Sequence, residues 1–131
     1  MNPPVLAVDP GEARLGIAVS DPTGTIARPF LVVRHSSRAQ DAEQIAHIAY
    51  EQHAGSILVG LALDHEGRIG PQGRKAVRLV EALRAVTSLP VETWDESGST
   101  LAARRGDRDD SQLDARAAAV FLQDFLDAQA A

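Results

Sequence analysis

The stretch Val5-Leu6-Ala7-Val8-Asp9-Pro10-Gly11-Glu12-Ala13-Arg14-Leu15-Gly16-Ile17-Ala18-Val19-Ser20-Asp21 decides the fold. Val5 to Val8 is too short and too continuously apolar for an amphipathic helix, and Asp9-Pro10-Gly11 imposes an extended residue followed by a turn. Asp9 therefore stands at a strand end, where a carboxylate meets the edge of a core. Leu15 to Val19 is a second short apolar run with a polar end at Ser20-Asp21, so the two runs read as a hairpin whose loop carries Arg14.

Working outward, Ile26 to Val33 reads as a third strand ending at Arg34-His35. Residues 38 to 54 change period: Ala42, Ile45, Ala46 and Ala49 recur at helical spacing, with Gly55 as the stop signal. Ile57-Leu58-Val59-Gly60 is a fully apolar short strand of the kind found in the parallel part of a covered sheet, expected beside the first strand. Asp64, Gly67 and Gly70 mark a loop, and Pro71 suits the first turn of a helix whose apolar face is Ala76, Leu79, Val80 and Leu83. Arg74, Lys75, Arg78 and Arg84 form a basic flank on that helix, with Arg74 and Arg78 expected to track substrate. Val91 to Trp94 is a fifth strand, with Asp95-Glu96 at its end. Ser99 to Arg105 reads as a short helix or turn, 106 to 110 as a charged loop, and Ser111 to Ala128 as the last helix.

The order β-β-β-α-β-α-β-α, without repeats or low-complexity linkers, describes one α/β domain over residues 1–131. Its five-stranded mixed sheet has three antiparallel strands extended by parallel ones, with helices on both faces. A length of 131 residues suffices for a real core, and 44% hydrophobic with 24% charged residues is ordinary for a soluble globular protein. No apolar run approaches membrane-spanning length, and Met1-Asn2-Pro3-Pro4 lacks the basic start and apolar stretch of a signal peptide, so a cytoplasmic protein without membrane association is expected. The absence of cysteine excludes a disulfide framework, a thiolate zinc site and a thiol nucleophile. A net charge of −5 argues against coating nucleic acid by bulk electrostatics. Positive charge is almost all arginine, with Lys75 the single lysine, which suits localised bidentate contacts to phosphate.

Ligands of such sheets gather at the carboxyl ends of strands, where Asp9 and Glu96 both fall. Asp114, Ala118, Phe121 and Phe125 are spaced i, i+4, i+7 and i+11, which puts Asp114 on the packing face of the last helix. A carboxylate there is costly unless it shares a cation with other acids. Three converging carboxylates select a hard divalent ion, magnesium or manganese, over zinc. Each acid also has a purely structural reading: Asp9 as a turn opener, Glu96 as an exposed residue near a helix start, Asp114 as the partner of Ser111 in a capping box. His35, His47, His53 and His65 have no zinc-type spacing and read as surface residues.

These residues together resemble the YqgF/RuvX family. The resemblance rests on Asp9-Pro10-Gly11 through Arg14 to Asp21, Val59-Gly60-Leu61, Gly67 with Gly70-Pro71-Gln72, Trp94-Asp95-Glu96 with Ser99-Thr100, and Asp114 with Ala117-Ala118 and Leu122-Gln123. It covers nearly the whole chain and implies a ribonuclease H-like fold, the class of Holliday-junction resolvases, and a nuclease that matures the precursor of small-subunit ribosomal RNA. It also implies that Asp9, Glu96 and Asp114 are the metal-binding acids. The chain departs from the family pattern at Ala62, where proline is usual, at Ala13, where a basic residue is usual, and at Ser97, where arginine is usual. Its stretch from Leu101 to Leu113 is shorter than the family's and carries mixed charge.

The expected chemistry is metal-assisted phosphodiester hydrolysis, with two divalent ions about 4 Å apart spanning the scissile phosphate and Asp9 bridging them. Arg14, Ser99 and Thr100 are candidate phosphate contacts; a surface salt bridge and a helix cap are their structural alternatives. Two other classes compete. Asp-x-Gly before a hairpin also opens the phosphate-binding half of actin-like ATPases and sugar kinases, which need a second comparable lobe. A catalytically silent nucleic-acid-binding or ribosome-assembly module on the same fold is the other. RNA versus DNA preference and oligomeric state, a homodimer included, are left open by the sequence.

Overall fold

The structure, a computed structural model, describes residues 3–96 and 113–130. The opening hairpin forms as expected: β1 (Val5–Pro10) pairs antiparallel with β2 (Arg14–Ser20), with Leu6 opposite Val19 and Asp9 opposite Gly16. The turn closes through a hydrogen bond from Gly11 N to Arg14 O (2.9 Å). β3 (Ala27–Arg34) adds antiparallel to β2, with a register shift between Ile17 and Ala18. The chain then crosses through helix α1 (Arg38–Glu51) to β4 (Ser56–Leu61), parallel to β1, and through α2 (Pro71–Val86) to β5 (Val91–Asp95), parallel to β4. Helix α3 (Leu113–Ala130) closes the chain, and the strand order is β3-β2-β1-β4-β5.

Strand alternation divides the core between two layers. Leu6, Val8, Ile17, Ile57 and Val59 face α1 and α2, where Ile45, Leu79 and Leu83 meet them. Ala7, Ala18 and Leu58 face the opposite way and pack on Ala118, Phe121 and Leu122 of α3. Small side chains on this second face let α3 lie close to the strands. Asp9 follows Ala7 at the two-residue period and so belongs to the α3 face.

Two details differ from the sequence reading. The first helix ends at Glu51 rather than 54, because His53 takes a left-handed conformation (φ 57°) before Gly55 is reached. The basic flank of α2 is not one track. Arg84 donates from Nη2 to the carbonyl of Val91 (2.6 Å), and Lys75 pairs with Glu12 (3.7 Å). The expected element at 99–105, the charged loop at 106–110 and the start of the last helix at 111–112 lie outside the described residues.

Candidate metal centre

Asp9 and Glu96 come from the C-terminal ends of the parallel strands β1 and β5, separated in the sheet only by β4. Both are buried, at 8% exposure each. The Glu96 backbone N–H donates to Leu61 O (3.2 Å), which ties its segment to the end of β4. The room for its carboxylate is made by Gly60. A Cβ at that position would stand 2.7 Å from Glu96 Oε2 and 2.7 Å from Cε2 of Phe121.

Asp114 arrives from the other direction, in the first turn of α3. What lets that turn approach is Gly16, the β2 residue opposite Asp9: a Cβ there would lie 2.0 Å from the Asp114 carbonyl oxygen. The Asp114 side chain is half-buried and pairs with Arg14 (Nε to Oδ2, 3.3 Å). Arg14 is thus the countercharge of the third acid. A cavity of about 290 Å³ is lined by all three acids together with Glu12, Ala62 and Gln72. Ser99 and Thr100 lie outside the described residues. Arg74 and Arg78 are exposed on α2, and neither lines this cavity.

Asp9 and Glu96 are joined by a side-chain hydrogen bond, so the pair holds a shared proton. Burial pushes the Glu96 carboxyl up to about 9, reinforced by its hydrogen bond to Asp9 and by the charges of Asp9 and Asp95. Asp9 is also raised, chiefly by burial, with the hydrogen bond from Glu96 opposing and the Asp114 charge adding. Glu96 Oε2 is buried without a hydrogen-bond partner among the described residues. Among the described residues, no three acidic or histidine side chains are drawn together tightly enough to form a finished metal cage. The arrangement is a protonated acid pair with a third acid across a cavity, and an orphaned oxygen inside it. Asp9, Glu96 and Asp114 would offer a hard divalent cation oxygen donors only, and such a cation would take the place of the shared proton and give the orphaned oxygen a partner.

Comparison with known proteins bears on what this geometry is for. Residues 4–128 match the family described as RuvX: Holliday junction resolvase. The chain belongs to the RuvX family. Membership makes it one of a family of nucleases. Its relatives include a protein of Thermoanaerobacter pseudethanolicus, provisionally named a pre-16S rRNA nuclease, at 37% identity over 134 residues, spanning 95% of this chain and 96% of the relative. Among solved structures, Thermus thermophilus RuvC in complex with a Holliday junction substrate aligns at a TM-score of 0.60 and 18% identity, over 98% of this chain and 96% of that one. A hexokinase of Thermus thermophilus aligns at a TM-score of 0.51 and 21% identity, over 78% of this chain but 38% of the kinase. Both structural likenesses are of fold, and the first extends over 96% of the other chain where the second covers 38%.

The sequence reading of this RuvX-family chain named the three acids that line this cavity but missed the two glycines that make room for them. An isolated glycine inside an apolar strand pattern is a signal of close approach, present at both Gly16 and Gly60. It also missed Asp41, a carboxylate on α1 that is 3% exposed and bound to His35. That acid falls among the apolar positions of α1 and carries no sequence cue of its own.

Proposed function

We propose that the protein is a divalent-metal-dependent nuclease, with Asp9, Glu96 and Asp114 as the ligands of magnesium or manganese. The observation that carries this reading is the buried, hydrogen-bonded Asp9–Glu96 pair, with Glu96 Oε2 unpartnered among the described residues. When bound, the cation supplies Lewis acidity to a phosphoryl oxygen and lowers the pKa of water. Asp9 and Glu96 give up their shared proton to bind it, and Arg14 holds Asp114 in register with them. Arg74 and Arg78, one turn apart on α2, are assigned to backbone phosphates, and Ser99 and Thr100 to phosphate near the site. In this reading one domain over residues 1–131 acts in the cytoplasm on nucleic acid. The relatives' name makes pre-16S rRNA the first substrate to test, and the RuvC complex makes a four-way DNA junction the second. Among the described residues, no helix is long and apolar enough to cross a membrane.

The test compares wild type and Asp9→Asn on labelled pre-16S rRNA, single-stranded DNA and a four-way junction, in magnesium and in manganese. Wild type is expected to cut at least one substrate only with metal, and Asp9→Asn to lose about 100-fold or more of that rate. Either cation should raise the melting temperature of wild type, and Asp9→Asn should lose most of that rise. Tight binding without cleavage under every condition would instead establish the silent-module reading.

A further inference from the structure

On the opposite face of the β1–β2 turn from the three acids, a groove of about 260 Å³ opens between α1 and α2. Arg38 from the start of α1 and Lys75 and Arg78 from α2 line it, with His35 beside them. Two carboxylates also face it, and both are committed. The buried Asp41 accepts from His35 Nδ1 (2.5 Å) and from Ser36 N (3.0 Å). Glu12 pairs with Lys75 at 3.7 Å, in a contact exposed enough for a stronger anion to displace. Among the described residues, neither Arg38 nor Arg78 has an ion-pair partner. The groove therefore holds three cationic side chains, Arg38, Lys75 and Arg78, against two carboxylates, with both arginines uncommitted, on a chain whose net charge is −5. Ser37 caps α1 at the same place, accepting from Gln40 N (3.2 Å), so the positive end of that helix adds to the field.

The position of the groove says what the anion is. Pro10, Gly11 and Glu12 line both the acidic cavity and this groove, so one turn is their common wall. We propose that the groove is a second anion site, which binds a backbone phosphate of the same nucleic-acid strand whose scissile phosphate lies at the acids. The strand crosses the β1–β2 turn, and Arg38 and Arg78 hold it on the far side. This rests on the nuclease reading and gives the phosphate contact assigned there to Arg78 a defined groove and a second arginine, Arg38, from another helix.

Binding of fluorescein-labelled RNA and DNA is measured by anisotropy across a salt series, in an Asp9→Asn background that prevents cleavage. Adding Arg38→Glu and Arg78→Glu should weaken binding about tenfold or more and flatten the log–log salt slope by about 0.7 to 0.9, one phosphate contact's worth. Arg28→Glu, on an exposed β3 residue opposite Val19 at the other end of the sheet, should leave Kd within about twofold and the slope unchanged. If the double reversal does not fold, Arg38→Gln with Arg78→Gln should move affinity and slope the same way by a smaller amount. A parent that binds and a double variant with the same affinity and slope would overturn the groove while leaving the nuclease reading intact. If wild type neither binds nor cuts any nucleic acid, the nuclease reading falls and the groove assignment with it.

Discussion

Glu96 ties the stability of the metal-free protein to pH. Its carboxyl stays protonated in the folded state up to about 9, against an ordinary value of 4.5 when unfolded, so between those limits the folded state binds more protons. Stability is then fully present below about 4.5 and is lost as pH rises toward about 9. The raised Asp9 adds a contribution of the same sign. Metal-free protein should melt at progressively lower temperature across that window, and Glu96→Gln should flatten much of the decline. If a cation takes the place of the shared proton, as proposed, its stabilising effect should grow as pH rises. A wild-type melting curve indifferent to pH between 5 and 9 would mean that the Asp9–Glu96 pair is not buried in solution.

At the scale of elements, the site exists because β2 and β4 carry glycine where α3 and Glu96 come close. Gly16→Ala directs a methyl at the backbone of α3, 2.0 Å from the Asp114 carbonyl, and no rotamer change relieves that. Gly60→Ala meets side-chain atoms of Glu96 and Phe121 at 2.7 Å, which can shift at some cost. Gly60→Ala should cost about 1–3 kcal/mol, and Gly16→Ala should fall at or beyond the top of that range. Urea unfolding measures both. Cleavage should drop in each, since one substitution moves Asp114 and the other moves Glu96. Wild-type stability in Gly16→Ala would show that α3 stands further from β2.

At the scale of the whole molecule, the sheet separates a supporting layer from a working one. Ile45 of α1 and Phe121 of α3 are both fully buried, on opposite faces. Truncating either to alanine should cost about 2–5 kcal/mol. Function should respond unequally, because Phe121 lies against the Glu96 pocket and shares its helix with Asp114. Below both melting temperatures, Phe121→Ala is expected to lose at least about tenfold more cleavage than Ile45→Ala, a difference of ~1.4 kcal/mol. Equal losses would mean that both layers position the acids.

The sequence by itself determined the order of elements, the hairpin and parallel strands of the mixed sheet, and the placing of Asp9 and Glu96 at strand ends. These follow from local rules: apolar runs of strand length, a turn at Asp9-Pro10-Gly11, and a helical period through Ala118, Phe121 and Phe125. Only the tertiary structure decided what the acids meet. The shared proton of Asp9 and Glu96, the pairing of Arg14 with Asp114, the turn of Arg84 onto Val91, and the gathering of Arg38 with Arg78 all join residues distant in the chain or on different elements. Burial and Coulomb interactions depend on separation in space, and periodicity along a chain says which way a side chain faces without saying what waits opposite.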